Sequence, residues 1–137
     1  MKKIEAGGGI ICRENANDET EVVLIKRRGV WDLPKGKRDE GEEIRDCALR
    51  EVQEEISPGQ ITEADFIDTT YHEYVESGEQ IGKTTYWYLM KTANNDPEFD
   101  PQKEEQIEEV RWVSAGEAVQ MVAFNNLKTI LGKAVEK

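Results

Sequence analysis

Between positions 36 and 55 the chain reads Gly36-Lys-Arg-Asp-Glu-Gly-Glu42-Glu-Ile-Arg-Asp-Cys-Ala-Leu-Arg50-Glu51-Val52-Gln-Glu54-Glu55, with carboxylates at intervals that a helix brings together. At about 100° per residue, Glu51 and Glu55 stand about 40° apart and Glu54 lies on their flank, so the three share an arc of about 100°. Ile44, Ala48 and Val52 define the apolar face, and Glu55 falls inside that stripe instead of opposite to it. Like charges at this spacing cost a bare helix about 0.2–0.5 kcal/mol per pair. Divalent cations would remove that cost. An all-oxygen donor set selects Mg²⁺ or Mn²⁺, and neither Cys nor His is positioned to favour zinc. Arg50 reaches Glu54 at i+4 or, if the preceding loop folds back, orients Glu42. An ordinary charged, solvated helix is the alternative open to the helix residues taken alone.

The elements around this segment read as a mixed α/β domain. Ala6–Cys12 is a strand whose glycines allow close backbone approach, and Asn15–Asp18 is a turn. Glu21–Arg28 resumes as a strand, with the continuous apolar run from Val22 to Ile25 predicting burial on both faces. Gly29 and Leu33-Pro34-Lys35-Gly36 mark a structured loop. Helical pattern runs from Glu42 to about Ile56 and stops at Ser57-Pro58-Gly59. Phe66–Glu76 and Lys83–Lys91 alternate like a hairpin, Asn94–Pro101 is a polar loop, and Ile107–Val113 is a short strand. Ser114-Ala-Gly-Glu117 fits a capping box opening a helix to about Val122, with a further helical stretch from Phe124 toward Val135.

Gly36, Glu42, Arg50, Glu51, Glu54 and Glu55, with aliphatic Val52, reproduce the spacing Gly-x5-Glu-x7-Arg-Glu-aliphatic-x-Glu-Glu. The segment strongly resembles the signature of the Nudix hydrolases. The glycine-rich first strand, Trp31-Asp-Leu-Pro-Lys-Gly36 and Glu108-Glu-Val-Arg-Trp-Val113 also look like family features and extend the resemblance over most of the chain. One departure is Ser57-Pro58, where the motif ordinarily closes with Gly and an aliphatic residue; it affects the turn after the helix, not the carboxylates. The resemblance implies an α/β/α sandwich with a mixed β-sheet and a loop–helix–loop beside it. It implies Mg²⁺- or Mn²⁺-dependent cleavage of a phosphoanhydride bond in a substrate built on a nucleoside diphosphate. By that carry-over Glu51, Glu54 and Glu55 are metal ligands, with the Gly36 carbonyl a further one. Glu42 ligates through water or pairs with Arg50 as a scaffold. Glu54 is the first candidate for the base that activates water, and Glu105, slightly ahead of Glu104, is the rival from a distal loop.

Six basic residues and one acid, Asp32, lie between Lys26 and Arg38, an excess suited to outer phosphates. Lys35, Lys37 and Arg38 flank the start of the motif, and Arg27 and Arg28 are the other set. Trp-Asp-Leu-Pro-Lys-Gly-Lys looks most like the dinucleoside polyphosphate and diphosphoinositol polyphosphate branch. On the hairpin, Tyr71, Tyr74, Tyr86 and Tyr88 either stack on an adenine or pack the sheet, and Tyr71 and Tyr86 are the choices for stacking. The single histidine, His72, is expected in a structural role. Oxidised nucleoside triphosphates, NADH, ADP-ribose, nucleotide sugars and capped RNA ends remain open as substrates. So does a non-catalytic nucleotide-sensing domain, against which the intact glutamates count.

With 18 Lys and Arg against 29 Asp and Glu, the 137-residue chain carries a formal charge of −11. That field disfavours duplex nucleic acid and anionic membrane surfaces, and favours a small phosphate-rich nucleotide arriving with its cations. The length fits one domain over residues 1–137. Cys12 and Cys47 lack partners at metal-ligand spacing and read as buried thiols of a cytoplasmic protein. No secretory signal or apolar run of about 20 residues is present. A homodimer is implied only by its frequency among related enzymes.

Overall fold

A computed structural model describes residues 1–136. The chain forms β1 (Lys2–Glu14), β2 (Thr20–Arg27), β3 (Val30–Asp32), β4 (Lys35–Lys37), α1 (Ile44–Ile56), β5 (Ile61–Glu76), β6 (Glu79–Thr92), β7 (Ile107–Ser114), α2 (Ala115–Met121) and α3 (Asn125–Val135). The sheet order is β3-β2-β1-β6-β5, with β4 paired to β1 and β7 to β2. β1 and β6 run parallel and the other pairs antiparallel, so the sheet is mixed.

The run Val22–Ile25 is buried throughout, as expected, because each strand face has its own cover. Val22 and Leu24 join Ile10 and Trp87 in a core with Leu127, Ile130 and Leu131 of α3. Val23 and Ile25 join Ile11, Tyr88 and Met90 under Ala48, Val52 and Ile56 of α1. Alternation along the strands therefore divides the apolar residues between two cores, which makes the α/β/α sandwich.

The glycines of β1 set how deeply α1 sits. A Cβ on Gly7 would lie 2.7 Å from the Ala48 nitrogen and 2.9 Å from its Cα, so the helix rests on bare strand backbone.

Two of the differences from the sequence reading bear on the site, and the predicted stop after Ile56 gains its geometry. The stretch read as a loop after Gly29 contains β3 and β4, short strands whose backbones extend the pairing of β2 and β1. The helix begins at Ile44, not Glu42, because Gly41 turns the chain at φ +80° and the Glu42 carboxylate accepts the Asp39 N–H at 3.0 Å. Ser57 supplies the left-handed cap of α1 at φ 49°, with its N–H bonded to the Gln53 carbonyl, so the helix closes without the usual glycine. Of the expected capping box the N-cap half forms, with Ser114 Oγ accepting the Glu117 N–H at 3.3 Å.

A bulge between Phe66 and Asp68 re-phases β5. Beyond it Asp68, Thr70 and His72 lie opposite Trp87, Thr85 and Lys83 on the α3 side of the sheet, while Thr69 and Tyr71 pair with Tyr86 and Thr84 on the α1 side. Among the described residues no helix is long and apolar enough to cross a membrane.

Candidate active site

Arg50 gathers the carboxylates of the loop and of α1. Its Nε donates to Glu42 Oε2 at 2.8 Å and its Nη2 to Glu42 Oε1 at 2.9 Å, a two-pronged pair. Its Nη1 donates to Glu51 at 2.9 Å and to Glu54 at 3.2 Å, and its Nη2 also reaches the Lys37 carbonyl at 3.1 Å. The Arg50 hydrogen bonds hold the Glu42 carboxyl down at about 2, and these carboxylates in turn raise the guanidinium. Both alternatives for Arg50 are thus realised at once: it reaches Glu54 and it orients Glu42.

Glu51 packs against Gly36. An ideal Cβ at Gly36 would fall 2.0 Å from the Glu51 carboxylate, so only glycine leaves this space. Burial pushes the Glu51 carboxyl up, against the opposing pull of Arg50. The Gly36 carbonyl accepts the Cys47 thiol at 3.5 Å, and burial raises that thiol to about 11, which keeps it a donor.

Glu55 is 3% exposed, in the apolar stripe where its spacing placed it. Arg27 Nη2 donates to its Oε2 at 2.8 Å and the Lys35 N–H to its Oε1 at 3.1 Å. Burial still raises its carboxyl to about 7, outweighing the attraction of Arg27.

Among the described residues no three His, Cys, Asp or Glu side chains converge as a metal site, since these carboxylates are turned onto Arg50 and Arg27. The donor set nevertheless suits a hard dication. It is all oxygen, it includes two carboxylates that burial raises, and the missing Cβ of Gly36 clears the space beside Glu51.

The loop carrying Glu104 and Glu105 docks on the end of α1. The Asp100 N–H donates to the Ile56 carbonyl and the Gln102 N–H to the Glu55 carbonyl, filling acceptors that a helix end leaves open. Glu54 and Lys103–Glu104 line one shallow cavity, and the charge of Glu105 contributes to raising Glu51.

A cavity of about 430 Å³ opens on the α3 side of the sheet. Lys35, Asp32, Lys83, Thr85, Trp87 and Phe124 are among its lining residues. Asp32 Oδ2 lies 3.6 Å from Lys35 Nζ, while the Lys35 backbone holds Glu55, so one residue spans cavity and carboxylates. Burial, with Lys35 as the next contributor, pushes the Lys83 ammonium down to about 8.

Of the other predicted residues, Lys37 pairs with Glu76 at 3.6 Å, and Arg38 pairs with Glu5 at 3.1 Å and donates to the Glu42 carbonyl. Tyr71 and Tyr86 donate to Glu73 and Glu5 from the opposite sheet face to the cavity. Lys83 and Phe124 escaped the sequence reading. A lysine at the alternate position of Thr85 and Trp87 was the available signal for the first; Phe124 had none beyond its place at a helix start.

A model of the NUDIX domain family matches residues 6–132. The chain belongs to that family. Among the similar proteins, the asymmetrical bis(5′-nucleosyl)-tetraphosphatase of Sus scrofa is 33% identical over 120 residues, covering 84% of this chain and 78% of that protein. The m7GpppN-mRNA hydrolase of Saccharomyces cerevisiae is 27% identical over 132 residues, covering 95% of this chain but 13% of the yeast protein. The crystal structure of Caenorhabditis elegans Ap4A hydrolase superposes with a TM-score of 0.75 at 25% identity, over 99% of this chain and 98% of that one.

Proposed function

We propose that this NUDIX domain hydrolyses a phosphoanhydride bond in a nucleotide, with a dinucleoside polyphosphate as the preferred substrate. The observation that carries the reading is Lys35, whose backbone N–H holds Glu55 while its side chain lines the cavity beside Asp32. Phosphates and acidic cluster are thereby served by adjoining parts of one segment.

On this reading Glu51, Glu54, Glu55 and the Gly36 carbonyl hold Mg²⁺ or Mn²⁺. Bound there, the cation supplies positive charge to the phosphate oxygens and acidifies the attacking water. Glu42 keeps its partnership with Arg50 and acts as scaffold. The partly desolvated Lys83 and Lys35 bind the outer phosphates, and half-exposed Phe124 offers a flat face for a base. Glu54 takes the proton from the attacking water, with Glu105 and Glu104 as rivals on the docked loop. Similarity to the pig tetraphosphatase and to the nematode Ap4A hydrolase supports the substrate choice, and similarity to the yeast hydrolase keeps capped RNA on the panel.

The test is Mg²⁺-dependent phosphate release from dinucleoside polyphosphates, nucleoside triphosphates, nucleotide sugars, ADP-ribose, NADH and capped RNA. We expect the highest kcat/KM on a dinucleoside polyphosphate. A different winner would revise the substrate, and silence across the panel would favour a nucleotide sensor. Among Glu54→Gln, Glu104→Gln and Glu105→Gln, the true base loses about 10²-fold or more in kcat; metal affinity persists if it is Glu104 or Glu105 and falls with the rate if it is Glu54, which is also a ligand.

A further inference from the structure

We propose that Arg27 is a positioning residue for Glu55, and through it for the bound divalent cation, instead of a contact for substrate phosphate. This inference rests on the metal-ligand reading of the carboxylates given above.

Val23 and Ile25 point from β2 into the core beneath α1, and Arg27 is the next residue on that row. Its β7 partner, Ile107, belongs to the same core. Glu55 likewise occupies the apolar stripe of α1. Each charge alone contradicts the pattern of its element. Together they form a pair across the core at 2.8 Å, with side chains 19% and 3% exposed.

With Arg27 on Oε2 and the Lys35 N–H on Oε1, both Glu55 oxygens have a protein donor, which fixes the plane of the carboxylate. The Arg27 Nε is itself buried without a hydrogen-bond partner. A guanidinium serving phosphate would turn its spare donors toward the ligand. Here the Nε donor is shut inside, and an Nη2 donor is committed to Glu55. Lys35, whose ammonium lines the cavity, is the better placed phosphate contact.

The experiment measures Mn²⁺ binding to substrate-free protein by calorimetry at about pH 8.5, where free carboxylates are ionised. It is combined with steady-state kinetics for wild type, Arg27→Gln and Arg27→Lys, each checked for folding by circular dichroism. Arg27→Gln should weaken Mn²⁺ binding about tenfold or more, as loss of a partner that orients a ligand does. Its kcat should fall while KM moves by less than about threefold, and Arg27→Lys should recover part of both. Removing a positive charge near a dication would by Coulomb's law alone tighten binding, so the predicted sign is opposite to a pure charge effect.

Unchanged or tighter Mn²⁺ binding with a raised KM overturns the proposal in favour of a phosphate contact. Lower thermal stability with unchanged Mn²⁺ affinity overturns it in favour of a structural pair. If Arg27→Gln does not fold, Arg27→Lys decides: weaker Mn²⁺ binding supports the proposal, and wild-type affinity overturns it. A wild type that binds no Mn²⁺ overturns both readings, and is told apart because the parent protein is then itself silent.

Discussion

Arg50 hydrogen-bonds three glutamates from one position, and its consequences are local and titratable. Hydrogen bonds from Arg50 hold Glu42 at about 2, against an ordinary value of 4.5. A carboxyl lowered by folding adds stability that is complete above its unfolded value and is lost as pH falls through the folded one. Wild type should therefore exceed Glu42→Gln in urea stability from about pH 5 to pH 8, with the gap closing between about pH 4.5 and pH 2. A gap that stays constant across that range would remove the Arg50 pair as its source. Glu55 acts with the opposite sign. Burial raises it to about 7, so metal-free protein should lose stability as pH rises from about 4.5 to 7, and Glu55→Gln should lack that slope.

The decisive element is α1, and what places it is the strand beneath it. Gly7 lets the Ala48 backbone approach to where a Cβ would stand 2.7 Å from nitrogen, and neither backbone can yield cheaply. Gly7→Ala should destabilise by about 1–3 kcal/mol in denaturant unfolding and lower activity by lifting the glutamates. Gly116→Ala is the control. It meets open space within α2, and gains up to about 1 kcal/mol from helix propensity. Loss of stability in both variants alike would mean that close packing at Gly7 is not the cause. Beyond α1, hydrogen bonds from Asp100 and Gln102 dock the loop that carries Glu104 and Glu105 on the same helix end.

Across the molecule, eight of the 29 acids fall between Asp39 and Glu55, next to a cavity lined by Lys35 and Lys83. Metal binding to the folded chain alone should raise its stability by about 2.7 kcal/mol at 100 times the dissociation constant. Thermal melts with Mg²⁺ or Mn²⁺, then with excess chelator, measure this. The shift should shrink with added monovalent salt, since part of the attraction comes from screened surface acids. No shift with either ion would count against the carboxylates as a metal site.

The family signature, the mixed α/β class, the double-sided burial of Val22–Ile25 and the helix N-cap at Ser114 were all legible in the sequence, because each depends on spacing within one short segment. Glu55 in the apolar stripe was legible for the same reason. Its partner was not: Arg27 lies 28 residues away on another strand, and only packing of α1 over β2 brings the two together. The loop-like stretch after Gly29 became two strands because pairing partners, not local propensity, decide short strands. Tyr71 came to face away from the cavity because a bulge in β5 between Phe66 and Asp68 sets which residues oppose Lys83, Thr85 and Trp87, whereas Tyr86 faces away by its alternate place on β6 between Thr85 and Trp87. Sequence alone determined which residues carry the acids and at what interval along a helix. Tertiary structure decided which cation each acid meets and which sheet face is open, since both depend on contacts between segments that the chain order does not fix.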